Sequence, residues 1–300
     1  MTPDIGASIL SKLKNKAKST GMSYQQCLQL FLQEEFLRRL SKSRYARNLI
    51  LKGGLLICAL TDFKSRATVD ADFLLRRIDS GMEHIDDMIG EILSTPTGNN
   101  NVVVLSAMKT SPIALQRKYP GVSTQIIGSI KNVRVPFDVD IGVGDVIVPK
   151  ALKRKVKTQL DGFDVPEILT YSLESVIAEK FDAILQRFEL TGRMKDFFDI
   201  HYLAHFFDFD GRNLHQAIEQ TLGNRGTSYD HDSFNRVVSL SEDAVMQTKW
   251  RYFLRTINEQ ELPFTDVLQT VNVFIRPVYE AIVSKAEFSM TWDHAESTWR

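Results

Sequence analysis

Only two of the 300 residues are cysteine, Cys27 and Cys58, and they stand far apart in apolar helical contexts. Neither a disulfide framework nor a zinc site built on thiolates is therefore expected. No apolar run approaches the roughly 18 to 20 residues needed to cross a bilayer, so no membrane partner is expected. Lys12, Lys14, Lys16 and Lys18 interrupt the N-terminal stretch where a secretory signal would carry a continuous apolar block, and a cytoplasmic location is the expectation. Glycine and proline, at 16 and 9, are too sparse for a collagen-like or low-complexity chain. A hydrophobic content of 43% is enough to offset the entropy of ordering and excludes disorder. Net charge is also lacking, since 37 basic residues meet 37 acidic ones.

That neutrality hides a division. Residues 1–66 hold 12 Lys/Arg and 4 Asp/Glu, residues 67–108 hold 2 and 7, and residues 109–157 hold 10 and 3. The first 157 residues are thus +10 (24 minus 14) and the remaining 143 are −10 (13 minus 23). A basic half steers polyanions toward itself without specifying one.

Periodicity predicts amphipathic helices over 8–18 and 24–40, the second with Leu28, Leu30, Phe31, Phe36, Leu37 and Leu40 as its apolar stripe and Glu34, Glu35, Arg38 and Arg39 outside it. A short strand over 48–51 ends at Gly53-Gly54, and a helix resumes over 55–60. The period then changes to two over 68–75, where Asp70, Asp72 and Thr68 face one way and Val69, Ala71 and Phe73 the other. A helix over 82–93 is followed by strands over 102–107, 124–130 and 133–141, the last with Asp138 and Asp140 together on one face. No strand is expected beyond this point. Helices are predicted over 172–188, 195–206, 213–222, 241–258 and 264–286, with Trp250, Trp292, Trp299 and the aromatics Phe197, Phe198, Phe206 and Phe207 as packing residues. A boundary between 150 and 166 divides an α/β domain, 1–160, from an α-helical domain, 161–300.

Four features carry chemistry. Asp70-x-Asp72 sets two carboxylates on one face of a strand, about 6.6 Å apart along it, a spacing suited to a hard divalent cation that also takes substrate phosphates as ligands. Gly53-Gly54, at a strand-to-helix junction, lets the backbone and the helix amides approach a phosphate. Asp138 or Asp140 supplies a further carboxylate. Lys180 occupies a position where the apolar stripe of its helix calls for a hydrophobic residue, so it must meet an anion. Asp196 and Asp199, one helix later, are candidate partners for an internal clamp; a nucleoside triphosphate is the other candidate.

The order Gly-Gly, short helix, D-x-D strand, later Asp strand is that of the polymerase-β-type nucleotidyltransferase palm. Leu51-Lys52-Gly53-Gly54 with Arg66-Ala67-Thr68-Val69-Asp70-Ala71-Asp72-Phe73 resembles the signature of the AbiEii/AbiGii toxin family of nucleotidyltransferases. The stretches 36–43 (FLRRLSKS), 140–145 (DIGVGD) and 173–200 (LESVIAEK…KDFFDI) extend the resemblance over most of the chain. It implies an α/β palm with a mixed sheet followed by a helical domain, and a cytoplasmic toxin of toxin–antitoxin and phage-defence systems that uses Mg²⁺ (or Mn²⁺) to transfer a nucleotidyl group from an NTP to RNA, in some members the acceptor end of tRNA. A cognate antitoxin is the implied protein partner.

Carried over by motif, Asp70, Asp72, Lys180 and Asp196 are the catalytic set, with Asp70, Asp72 and Asp140 holding metal. Lys52, Gly53, Gly54, Arg66, Thr68 and Lys180 bind nucleotide. Asp196 either positions Lys180 or acts as base. Two departures from the pattern are Leu55, where a small hydroxyl residue usually follows Gly-Gly, and the 15 residues between Gly54 and Asp70. Lys150, Lys153, Arg154, Lys155 and Lys157, with the N-terminal lysines and Arg38, Arg39, Arg44 and Arg47, are candidate RNA contacts. The rival readings are a nucleotide- or antitoxin-binding module without catalysis, a transferase acting on a small molecule, and a zinc enzyme using His201 and His205.

Overall fold

A computed structural model describes residues 4–63, 65–66, 68–113, 121–259 and 261–300; Ala67 of the motif above lies outside the described residues. The chain forms two compact units, one of residues 1–144 with 152–170, the other of 145–151 with 171–300. A single cut at residue 160 is thereby corrected. The chain enters the second unit at Asp145, returns at Leu152 to add two strands to the first, and leaves again at Tyr171.

The first unit runs α1 (Ile5–Thr20), α2 (Tyr24–Lys42), β1 (Leu49–Lys52), α3 (Gly53–Leu60), β2 (Asp70–Leu75), α4 (Met82–Ser94), β3 (Val103–Ile113), β4 (Gly121–Ile130), β5 (Val133–Gly142), β6 (Leu152–Lys155) and β7 (Glu167–Thr170). Its seven-stranded sheet has the order β3-β4-β5-β2-β1-β7-β6. β2 runs parallel to β5 and β1 parallel to β7, while the other pairings are antiparallel. The expectation that strands end at 141 is overturned by β6 and β7. Both are four residues long, too short for a period to declare itself, and β7 is fixed by parallel pairing to β1 across more than a hundred residues of chain.

Helix α2 opens with a capping box in which Ser23 and Gln26 satisfy each other's backbone amides. Its Phe36 ring lies 5.7 Å from Phe73 and 6.5 Å from Phe137, and Leu32 fills the space a side chain on Gly128 would need. The charges predicted to lie outside its stripe are instead interior: Glu34, Glu35, Arg38 and Arg39 are all buried. They neutralise one another. Arg38 Nε donates to Glu35 Oε2 at 2.8 Å and Arg39 Nε to Glu35 Oε1 at 3.1 Å. Glu34 accepts the Gln159 amide at 3.1 Å, and Arg39 donates to the Val103 carbonyl at 2.6 Å. The Arg38 guanidinium also lies over the rings of Phe31 and Phe163, at 5.4 and 5.1 Å. Burial removes Arg38 and Arg39 from the candidate RNA contacts.

The second unit holds α5 (Leu173–Leu185), α6 (Met194–Phe206), β8 (Phe209–Asp210), α7 (Gly211–Arg225), α8 (Ser233–Ser239), α9 (Ala244–Thr256), α10 (Phe264–Ser284), β9 (Thr291–Asp293) and β10 (Thr298–Trp299). Its three short strands form a second sheet that the sequence pattern does not announce. The tryptophans anchor this unit by donating to backbone carbonyls, Trp250 to Leu262 and Trp292 to Ala204 at 2.7 Å each, and Trp299 to Phe274 at 3.0 Å. Phe206, predicted as packing, is exposed.

Because removing one member of a buried ionic group strands the charge of the others, Arg38→Ala should destabilise the protein by about 3–5 kcal/mol. Urea unfolding measures this, and a loss below about 1 kcal/mol would show that the cluster is solvated.

Candidate active site

The site of the first unit is set by strand register. Asp72 on β2 is paired across the parallel ladder with Asp140 on β5, and Asp70 with Asp138. Since paired residues share a face, four carboxylates come to one side of the sheet on adjacent strands about 4.8 Å apart. On the other flank of β2, Lys52 at the end of β1 pairs with Asp72. Lys52 Nζ lies 3.8 Å from where a Gly142 Cβ would sit.

The glycine pair closes on these residues. Gly53 has φ of +65°, and a Cβ on it would fall 2.1 Å from Asp72 Oδ2. A Cβ on Gly54 would meet Thr68 Oγ1 at 2.9 Å and Arg66 Nη2 at 3.4 Å. The catalytic, metal and nucleotide candidates of the first unit are therefore gathered around the start of α3: Lys52, Gly53, Gly54, Arg66, Thr68, Asp70, Asp72 and Asp140. Thr68 lies just ahead of β2, where its hydroxyl donates to the Asp70 carbonyl at 3.3 Å.

Burial pushes the Asp140 carboxyl up to about 6, and repulsion from Asp72, Asp70 and Asp138 adds to it, opposed by a hydrogen bond from Ser123. Ser123, on β4, is paired with Asp140; it carries no motif, and only its register reveals it. Among the described residues no three carboxylate, imidazole or thiol groups converge tightly enough to hold an ion by themselves. The donor set nevertheless fits Mg²⁺, a hard cation that binds through one or two carboxylates and completes its shell with phosphate oxygens and water.

The second unit contains Lys180 and Asp196. Lys180 is 8% exposed, with Nζ 2.5 Å from Asp199 Oδ2 and 3.4 Å from Asp196 Oδ1. Its departure from the apolar stripe is thus answered by a clamp between α5 and α6, in which Asp199 makes the closer contact. Asp196, in the first turn of α6, also takes Arg193 Nε at 2.5 Å. A second ionic centre has no sequence signature. Arg225 of α7 reaches Asp145 Oδ1 at 2.8 Å, Glu179 Oε1 at 2.9 Å and Asp182 Oδ2 at 2.9 Å, which fastens the first-crossing segment to two helices.

The remaining candidates divide. Lys153 pairs with Glu167 and Lys157 with Asp62 at 3.0 Å, Lys155 is exposed and Arg154 half-buried on edge strand β6, and Lys150 belongs to the second unit. His201 contacts Thr270 Oγ1 at 2.9 Å, and burial together with His205 depresses its imidazole to about 4. The described residues supply no third ligand to that pair.

A glycine-opened helix beside register-matched carboxylates on a mixed sheet is the arrangement of a nucleotidyltransferase. The profile of the nucleotidyl transferase AbiEii toxin family, toxins of type IV toxin–antitoxin systems, matches residues 35–271, and the chain belongs to that family. Among solved structures it is similar to MenT4, a nucleotidyltransferase toxin of Mycobacterium tuberculosis H37Rv, with 14% identity, a TM-score of 0.53, and coverage of 93% of this chain and 99% of that one. JHP933 from Helicobacter pylori also matches, with 14% identity and a TM-score of 0.45 over 88% of this chain and 94% of that one. No curated protein matches the sequence. The protein is a nucleotidyltransferase toxin of a type IV toxin–antitoxin system, and no helix among the described residues is long and apolar enough to cross a membrane.

Gly53→Ala should cost on the order of a hundredfold in transfer activity, because the Asp72 carboxylate must move, and lower the melting temperature by a few degrees because alanine is strained at this left-handed φ, while circular dichroism at room temperature stays that of the folded protein. Wild-type turnover in this variant would mean that the Asp72 position is not used.

Proposed function

We propose that the protein transfers a nucleotidyl group from an NTP to the 3′-hydroxyl of an RNA, with the 3′ end of tRNA as the acceptor expected from the family resemblance. The observation that carries the reading is the bare backbone of Gly53-Gly54 at the opening of α3, so close to Asp72, Thr68 and Arg66 that no Cβ fits between them. Asp70, Asp72 and Asp140 are proposed to hold Mg²⁺ or Mn²⁺. When bound, such an ion offsets triphosphate charge and favours departure of pyrophosphate.

In the proposed reaction the RNA oxygen forms a bond to the α-phosphorus in line with the bond to the departing pyrophosphate, and the hydroxyl proton leaves to a carboxylate. Gly53 and Gly54 admit the phosphates, and Lys52 and Arg66 neutralise them. Lys180 is proposed as a further cation for the triphosphate, held in readiness by Asp199 and Asp196. Lys150, Lys153, Arg154, Lys155 and Lys157 are proposed to attract the tRNA backbone. A cognate antitoxin is the proposed protein partner.

The decisive assay incubates the protein with tRNA, Mg²⁺ and each labelled NTP in turn. Wild type should label tRNA from at least one NTP, and Asp72→Asn should lose on the order of a hundredfold or more. Normal NTP binding without label in any RNA sinks the proposal, and label in a small molecule instead would redirect it. Lys180→Met should raise the KM for NTP about tenfold with the KM for tRNA unchanged, and lower the melting temperature because Asp196 and Asp199 lose their cation; a lower melting temperature with both KM values unchanged would assign Lys180 to folding alone.

A further inference from the structure

The carboxylates are the inner end of a longer surface. Register carries the Asp72–Asp140 row outward to Ser123 on β4, and the Asp70–Asp138 row to Gln125 on β4 and Lys109 on β3. Two further rows on the same face pair Ile127 with Pro136 and Ser129 with Arg134. The opposite face of these strands is covered, since Leu32 of α2 fills the space over Gly128 and Phe36 packs on Phe137. The face that bears the carboxylates is not: Lys109, Gln125 and Arg134 are exposed, and Ser123, Ile127 and Ser129 half-buried.

The composition of this face is selective. Its side chains on β3 and β4 are serines, Gln125 and Lys109, interrupted by Ile127 and Val104, and among the described residues it carries no acid beyond the two active-site rows. Lys109 stands two strands from Asp138, about 10 Å, and Arg134 four residues along β5 from it, about 13 Å. Two cations at that reach, with Gln125 between Lys109 and the carboxylates and Ser129 beside Arg134, are complementary to a single-stranded polyanion that ends at the reacting centre. The absence of aromatic side chains in these rows points to contact with backbone and sugar rather than to stacking.

We propose that the single-stranded 3′ end of the RNA acceptor lies across the open face of β3, β4 and β5, with Lys109 and Arg134 on its phosphates and Ser123 and Gln125 beside its terminal nucleotide. This rests on the reading of the acceptor as RNA. It separates the roles of the two sheet edges. Strand β6, at the far edge, would attract the body of a folded tRNA, whereas the open face would hold the strand that reacts.

The test uses the full chain and two probes, intact tRNA and a short single-stranded RNA with a free 3′-hydroxyl and a 4-thiouridine near that end. Lys109→Glu with Arg134→Glu should weaken binding of both probes about tenfold in fluorescence anisotropy and reduce the salt slope by about two. The affinity for NTP and the melting temperature should stay at wild-type values. Lys153→Glu with Lys155→Glu should weaken tRNA and spare the short RNA. Ultraviolet irradiation should crosslink the short RNA to peptides of Gly121–Ile130 or Val133–Gly142. Unchanged affinity for the short RNA in the Lys109/Arg134 variant, crosslinks confined to other peptides, or capture of a protein but no RNA on this face would each overturn the inference. RNA bound on these peptides with no label transferred would count against the transfer reading and leave the surface standing.

Discussion

Parallel pairing of β2 with β5 is the constraint on which this site depends. Side chains alternate faces along a strand, so a slip of one residue in either ladder would turn one pair of carboxylates into the core. Two neighbours resist the slip. On one flank β1 is antiparallel to β2, which sets Lys52 against Asp72; on the other β4 is antiparallel to β5, which sets Ser123 against Asp140. The inward set of the same strands, Ala71 and Phe73 on β2 with Phe137, Val139 and Ile141 on β5, is buried. Burial of these apolar residues is what holds the carboxylates at the surface. The raised Asp140 carboxyl, pushed up first by burial and then by repulsion from Asp72, Asp70 and Asp138, is the electrostatic cost of that arrangement.

A second theme is charge placed where apolar residues would ordinarily go. The Glu34, Glu35, Arg38 and Arg39 group, the Lys180, Asp196 and Asp199 clamp, and the Arg225 centre all lie within units rather than on their rims. Each gains partners distant in sequence, such as Gln159 for Glu34 and Asp145 for Arg225, although both terminal nitrogens of buried Arg38 have no hydrogen-bond partner among the described residues. Buried ionic groups of this kind contribute less to stability than their contacts suggest, yet removing one member is costly. Their consequence is geometric. Arg225 fixes the segment that begins at Asp145, from which the chain returns to build β6 and β7.

Much of the palm was legible because its signals are local. The change of period at Asp70, the glycine pair after an apolar strand and the alternation from Val133 to Ile141 each follow from a few neighbouring residues. Lys180 was legible for the opposite reason, as a charge that breaks a helical stripe. Helix α2 misled because Glu and Arg at helical spacing present the same pattern whether they face water or one another. Strands β6 and β7 escaped notice because four residues hold too few repeats of a period.

The sequence by itself therefore carried the family in its motifs, and it determined the mixed sheet followed by helices and the residues around Gly53, because backbone preference and periodicity act within a few positions. Only the tertiary structure decided which carboxylates stand side by side, that Asp199 rather than Asp196 makes the closer contact with Lys180, and that the arginines of α2 are interior. Those outcomes are set by ladder register and by burial, which couple residues tens to more than a hundred positions apart. The same register decided that Ser123, Gln125, Lys109 and Arg134, four residues without a motif, share a face with the active-site row.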